Sequence, residues 1–163
     1  MIRRLLMLFA LAAALAAVVG ASPARSTGSA DYEWIACDED PCMTQAANGA
    51  TLTLQGEGTL SIHPKSVTGE GTFSYPGASG RFEATQLLSF VSYGTFPPPF
   101  PQNFEGGKAL IRVHLSTGRD AVLTVECLIG NPPGGVNEGI ELAVQGGPNF
   151  TREVSGDTLF VHE

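Results

Sequence analysis

Helical periodicity is missing from this chain. From residue 25 onward no window repeats its apolar residues at the three-and-four spacing of an amphipathic helix. That argues against helical bundles and against folds that alternate helix with strand. Positive charge is also scarce. Arg3 and Arg4 sit at the extreme N-terminus, which leaves seven of the nine bases against all 16 acids, a net charge of −9 beyond them. An acidic surplus argues against nucleic acid, whose binders carry basic patches, and against anionic lipid surfaces. Catalytic signatures are lacking too. There is no Gly-x-Ser-x-Gly elbow, no His-Glu-x-x-His and no phosphate loop. No motif implies a cofactor. With only three Cys and no His at ligand spacing, no zinc or other metal site is expected.

What is present begins with a leader. Arg3 and Arg4 precede an uncharged apolar run from Leu5 to Val19, and Val19-Gly20-Ala21 and Ser22-Pro23-Ala24 both offer small residues for cleavage. Residues 1–24 therefore read as a secretory signal peptide; an uncleaved membrane anchor is the alternative. The expected location is secreted, extracellular or in the cell envelope, with no membrane insertion after cleavage. An oxidising destination makes a disulfide admissible. Cys37 and Cys42 bracket Asp38-Glu39-Asp40-Pro41 and are expected to bridge, leaving Cys127 as a buried free thiol. A bridge using Cys127 remains open, because spacing does not fix connectivity.

The rest of the chain alternates by twos. Gly56-Glu57-Gly58-Thr59-Leu60-Ser61-Ile62 is echoed by Gly69-Glu70-Gly71-Thr72-Phe73-Ser74-Tyr75. Placing Ile62 opposite Val67 sorts the pair into an apolar or glycine face and a polar face. In that register Gly56 faces Phe73, and Phe82 of the next strand lies beside Phe73. Glycines on an inward face mark a tight bend or a close approach, and an aromatic ring is expected to cover them. The adjacent Leu87 and Leu88 break the alternation and predict a bulge. Lys108–Leu115 and Ala121–Ile129 form a second hairpin, with Cys127 on its apolar face and Arg112, His114, Thr124 and Glu126 on the other. Further strands are expected over Ile140–Val144, Phe150–Val154 and Thr158–His162.

Turn signals every 8 to 14 residues and local connections predict an all-β fold. The expected architecture is an antiparallel up-and-down β-barrel of about eight strands, with a two-sheet β-sandwich as the alternative. Residues 25–50 are expected as a flexible acidic arm in which Tyr32-Glu33-Trp34-Ile35 alone reads as structure, a short edge strand with Trp34 docking the arm, and residues 51–163 as one barrel domain.

Residues 95–107 hold four prolines with Phe96, Phe100 and Phe104. Such a loop is stiff and aromatic, and it is the expected ligand or partner surface. A connection with its rings packed underneath is the plainer reading. Glu57 with Glu70, and Asp38 with Glu39 and Asp40, are acidic groupings expected to be solvated. Arg112, His114 and Glu126 form a possible polar cluster. No catalytic residue is assigned.

The run Gly69-Glu70-Gly71-Thr72-Phe73, followed by Gly80-Arg81-Phe82, resembles glycine-rich hairpins of uncharacterised bacterial secreted β-proteins. Some of those are similar to small barrels of the allene-oxide-cyclase or dirigent type. The resemblance covers roughly residues 51 to 90 and implies a barrel, with no functional residue carried over. The expectation is a monomeric, secreted, non-enzymatic binding or envelope-associated module for an extracellular partner or small ligand. A carrier or enzyme with its site in the barrel mouth is the alternative.

Overall fold

The computed structural model describes residues 30–163, so the segment expected as a signal peptide, residues 1–24, lies outside the described residues. Within them there are ten strands, all antiparallel to their neighbours, and no helix. They are β1 (Asp31–Ala36), β2 (Cys42–Ala46), β3 (Thr51–Ser61), β4 (Ser66–Tyr75) and β5 (Ala78–Thr95), followed by β6 (Phe104–Leu115), β7 (Arg119–Cys127), β8 (Gly139–Val144), β9 (Asn149–Ser155) and β10 (Thr158–His162).

From β3 to β9 each strand pairs with the next, and β9 returns to β2, which pairs with β3. These eight strands close a hydrogen-bonded ring, compatible with a barrel or, flattened, with a two-layer sandwich. β1 carries on the line of β2: Cys42–Gln45 pair with Thr51–Leu54 of β3, and Asp31–Ala36 pair with Gly56–Ser61. β10 likewise carries on the line of β9 and pairs with both β1 and β6. Phe104 and Glu105 of β6 pair with β10, whereas Gly107–Leu115 pair with β7. The β7–β8 hairpin is thus wedged between β6 and the β9–β10 line, and the sheet forks there.

The segment expected as a flexible arm with one short edge strand is more ordered than that. From Asp31 it forms two strands of the sheet, and Trp34 is fully buried. Edge hydrogen bonds of β3 and β10 need partners, and β1 supplies both sets, which local composition does not reveal.

The alternation of faces holds, but the register of each hairpin is displaced by two residues. Gly56 pairs with Gly71, Gly58 with Gly69 and Leu60 with Val67. Phe82 stands beside Gly71, and Ala109 opposite Val125. A shift of two preserves every face, because side chains repeat with that period. It does change which ring covers the glycines. A Cβ on Gly71 or Gly56 would lie 2.5 Å from the Phe82 ring, and one on Gly69 would strike Trp34. The covering rings are Phe82 and Trp34 rather than Phe73. The glycines leave room inside the ring for these two side chains, and Trp34 Nε1 donates to the Thr68 carbonyl at 3.0 Å.

Three register breaks along β5 skip Thr85, Leu88 and Tyr93. Two of the freed carbonyls find partners: Lys65 Nζ donates to Leu88 O at 2.9 Å and Asn131 N to Tyr93 O at 2.7 Å. Trp34, Phe82, Phe150 and Phe160, with Leu52, Ile111, Leu123 and Leu142, fill the interior. Among the described residues no helix is long and apolar enough to cross a membrane.

Candidate functional site

The fork in the sheet creates the site. Where β7 and β10 part, backbone groups lose their strand partners, and Glu138 takes their place. Its carboxylate accepts from Leu128 N at 3.3 Å through one oxygen and from Thr158 N at 3.2 Å through the other. Thr158 Oγ1 donates to the Glu126 carbonyl at 2.6 Å and closes the seam. The two interrupted lines break beside this point. β1 passes to β2 through the Cys37–Cys42 loop, and β9 passes to β10 through Gly156-Asp157. Cys37 has φ of 70°, a left-handed conformation that turns the chain out of β1, and its N–H donates to Asp157 O at 3.1 Å. A disulfide joins Cys37 to Cys42, with Cα atoms 5.5 Å apart. Cys42 packs against Gly156, where a Cβ would collide with its sulfur.

A concavity of about 630 Å³ lies between these breaks and the Pro-rich loop. Ile35, Phe96, Phe104, Ile129 and Leu159 give it apolar walls, and each is only half-buried. Asp38, Glu39, Asp40 and Asp157 rim it, all exposed, and among the described residues no Lys or Arg lines it. Its size is that of a small-molecule or peptide-side-chain pocket. A second hollow of about 380 Å³ shares Ile35, Cys37 and Asp38 with it and continues over Glu57 and Glu70.

Phe96 and Phe104 of the aromatic trio meet in the groove. Phe100 does not: it is 53% exposed and lies against Phe96, ring centroids 4.8 Å apart, outside the groove lining. Gln102 Nε2 ties the loop by donating to the carbonyls of Phe96 at 3.0 Å and Phe100 at 2.8 Å.

Arg112, His114 and Glu126 are not brought together. Arg112 is exposed opposite Val122, and His114 Nδ1 is 2.8 Å from Asp120 Oδ1. Glu126 is buried opposite Lys108, which donates to it at 2.8 Å while Tyr93 OH donates at 2.7 Å. The two-residue shift of the hairpin separates Glu126 from Arg112. Desolvation, then the Glu126 hydrogen bond and charge, push the Tyr93 phenol up to about 12. Glu141, across β7 from Lys108, has its carboxyl raised by desolvation and then by the nearby Glu153.

Cys127 is free and buried, and desolvation pushes its thiol up to about 11, which suppresses the nucleophilic thiolate. Among the described residues no three His, Cys, Asp or Glu side chains converge to hold a metal ion. The rim carboxylates are spread rather than convergent.

No family model, no curated protein and no solved structure matches the chain. Ile35, Ile129, Asp157 and Leu159 are site residues that the sequence does not flag. Ile35 and Leu159 read as ordinary strand positions. Ile129 reads as an inward member of its hairpin, but β7 ends at Cys127.

Proposed function

We propose that the protein is an exported, non-enzymatic binding module whose ligand site is the groove at the fork. One observation carries this reading. Five half-buried apolar side chains from five separate segments converge on a concavity outside the core, rimmed by charge of a single sign. Ordinary surface apolar residues are scattered singly, and contiguous patches of them mark binding sites. The fully buried rings of Trp34, Phe82, Phe150 and Phe160 leave the interior occupied, which speaks for a surface site over one in the barrel mouth. The apolar leader and the disulfide are consistent with export, as is the likeness of the glycine hairpin to those of secreted bacterial β-proteins.

The test is a selection of random-sequence peptides displayed on phage, followed by mapping of the selected binders by amide chemical shift. Binders should perturb Ile35, Ile129 and Leu159. They should weaken at least about tenfold, a loss of roughly 1.4 kcal/mol, on the double variant Phe96→Ser, Phe104→Ser. Phe100→Ser should leave them within about twofold, because that ring lies outside the lining. Binders that map elsewhere, or a selection that yields none, would remove the groove as the site.

A further inference from the structure

The outer surface beside the groove carries a row of like charges in register. Glu83 pairs with Glu70, Glu70 with Glu57, Glu57 with Ile35 and Ile35 with Leu159. These five residues lie on five consecutive strands, and the three glutamates are exposed. Like charges directly opposite one another on neighbouring strands are destabilising. Here the arrangement occurs twice in succession. Among the described residues the one ion pair relieving it is Arg81 with Glu70 at 2.8 Å, itself exposed. At its other end the row turns apolar and enters the groove, where Asp38, Glu39, Asp40 and Asp157 add four more carboxylates.

Building on the groove as ligand site, we infer that its ligand is an extended basic peptide laid across the strands, with an apolar anchor between Phe96 and Phe104 and lysine or arginine residues along Asp38–Asp40, Glu57 and Glu70. Three features select this occupant. Carboxylates outnumber bases along the path, where Arg81 stands beside Glu70, and among the described residues no basic side chain lines the apolar pocket. The length also fits. From Glu83 on β5 to Leu159 on β10 the row crosses β4, β3 and β1, four steps of about 4.8 Å, or roughly 19 Å. Six extended residues at about 3.4 Å each cover that distance, whereas a small organic amine reaches only one part of it. Finally, the carboxylates follow a line rather than surrounding one point, which suits several separate cations. A peptide neutralising the row would relieve repulsion that the free protein carries.

The test uses three synthetic twelve-residue peptides with identical Leu and Trp positions, whose remaining positions are lysine, glutamine or glutamate. Calorimetric titration should show the lysine peptide binding at least about tenfold more tightly than the glutamine one, with most of the gain lost at about 0.5 M salt. Glu57→Gln with Glu83→Gln should weaken the full-length lysine peptide several-fold. The same variant should leave a six-residue anchor fragment unaffected. Equal binding of the glutamine and lysine peptides at the groove would overturn the inference and leave the groove standing as a ligand site. Failure of all three peptides at the groove would remove both. Calcium chloride alone reproducing the chemical-shift changes around Asp38–Asp40 would overturn the peptide in favour of a metal.

Discussion

Glu105 is a carboxylate on the inner side of β6, 8% exposed, where β6 pairs with β5 on one side and β10 on the other. It survives there because Tyr32 OH donates to it at 3.2 Å and Ser92 Oγ also donates. Among the described residues no buried side-chain polar atom lacks a partner, as a dry interior requires. The tyrosine shows the electrostatic consequence. Burial first, then the charge of Glu105 and the hydrogen bond to it, push Tyr32 up from 10.0 to about 12. Tyr93 is held at about 12 in the same way beside Glu126. A phenol raised in the folded state favours folding while it stays protonated. Its stabilisation is complete below pH 10 and is lost as pH rises toward 12. An alkaline absorbance titration should therefore find two of the three tyrosines ionising only near pH 12, with Tyr32→Phe removing one of them. Titration of all three near 10 in the folded protein would contradict the buried carboxylate pairings. The two-residue spacing of inward side chains was legible at this scale, down to buried Cys127. Glu105 was not, because a lone acidic residue beside two glycines reads as loop and only its partners make it tolerable inside.

At the scale of elements, the Glu138 carboxylate is the residue that lets the sheet divide. It stands in for two strand partners at once, on Leu128 and Thr158. Removing it orphans both amides where they are part-buried, and hydrogen bonds to a charged group contribute about 1.5–3 kcal/mol each. Glu138→Ala should cost about 2–4 kcal/mol in urea unfolding, since water recovers part of the loss. It should also raise amide exchange at Leu128 and Thr158 ahead of the rest. A change within about 0.5 kcal/mol would mean that the fork holds by other contacts. The hairpins were readable because glycine and polar turns separate alternating runs. Their registers were off by two, because faces constrain parity alone and the closing residue is set by the turn. The row Glu57, Glu70 and Glu83 emerges only in the true register.

For the molecule as a whole, closure comes from hydrogen bonds between β9 and β2 and between β1, β10 and β6, not from the disulfide. The Cys37–Cys42 bridge closes a loop with a sequence separation of only five. For a loop of that size the chain-entropy estimate is about 2 kcal/mol. The double variant Cys37→Ser, Cys42→Ser should lose about that much stability and keep its far-ultraviolet strand spectrum. It should also lose peptide binding at the groove, whose rim the loop provides. Collapse of the strand spectrum would make the bridge part of ring closure. The −9 charge beyond Arg4 sits unevenly on this molecule, with seven carboxylates around one furrow.

Sequence alone determined the strand character, the alternation of faces and the inward placement of Cys127, because each follows from neighbours within a hairpin; it favoured the Cys37–Cys42 bridge, and the structure decided it. Tertiary structure decided that residues 31–46 belong to the sheet, that Trp34 and Phe82 fill the space the glycines leave, and that Phe96, Phe104, Ile35 and Leu159 share one groove. Those outcomes depend on which distant edges pair when the ring closes, and a long-range hydrogen-bond partner leaves no periodic mark on the residues that await it.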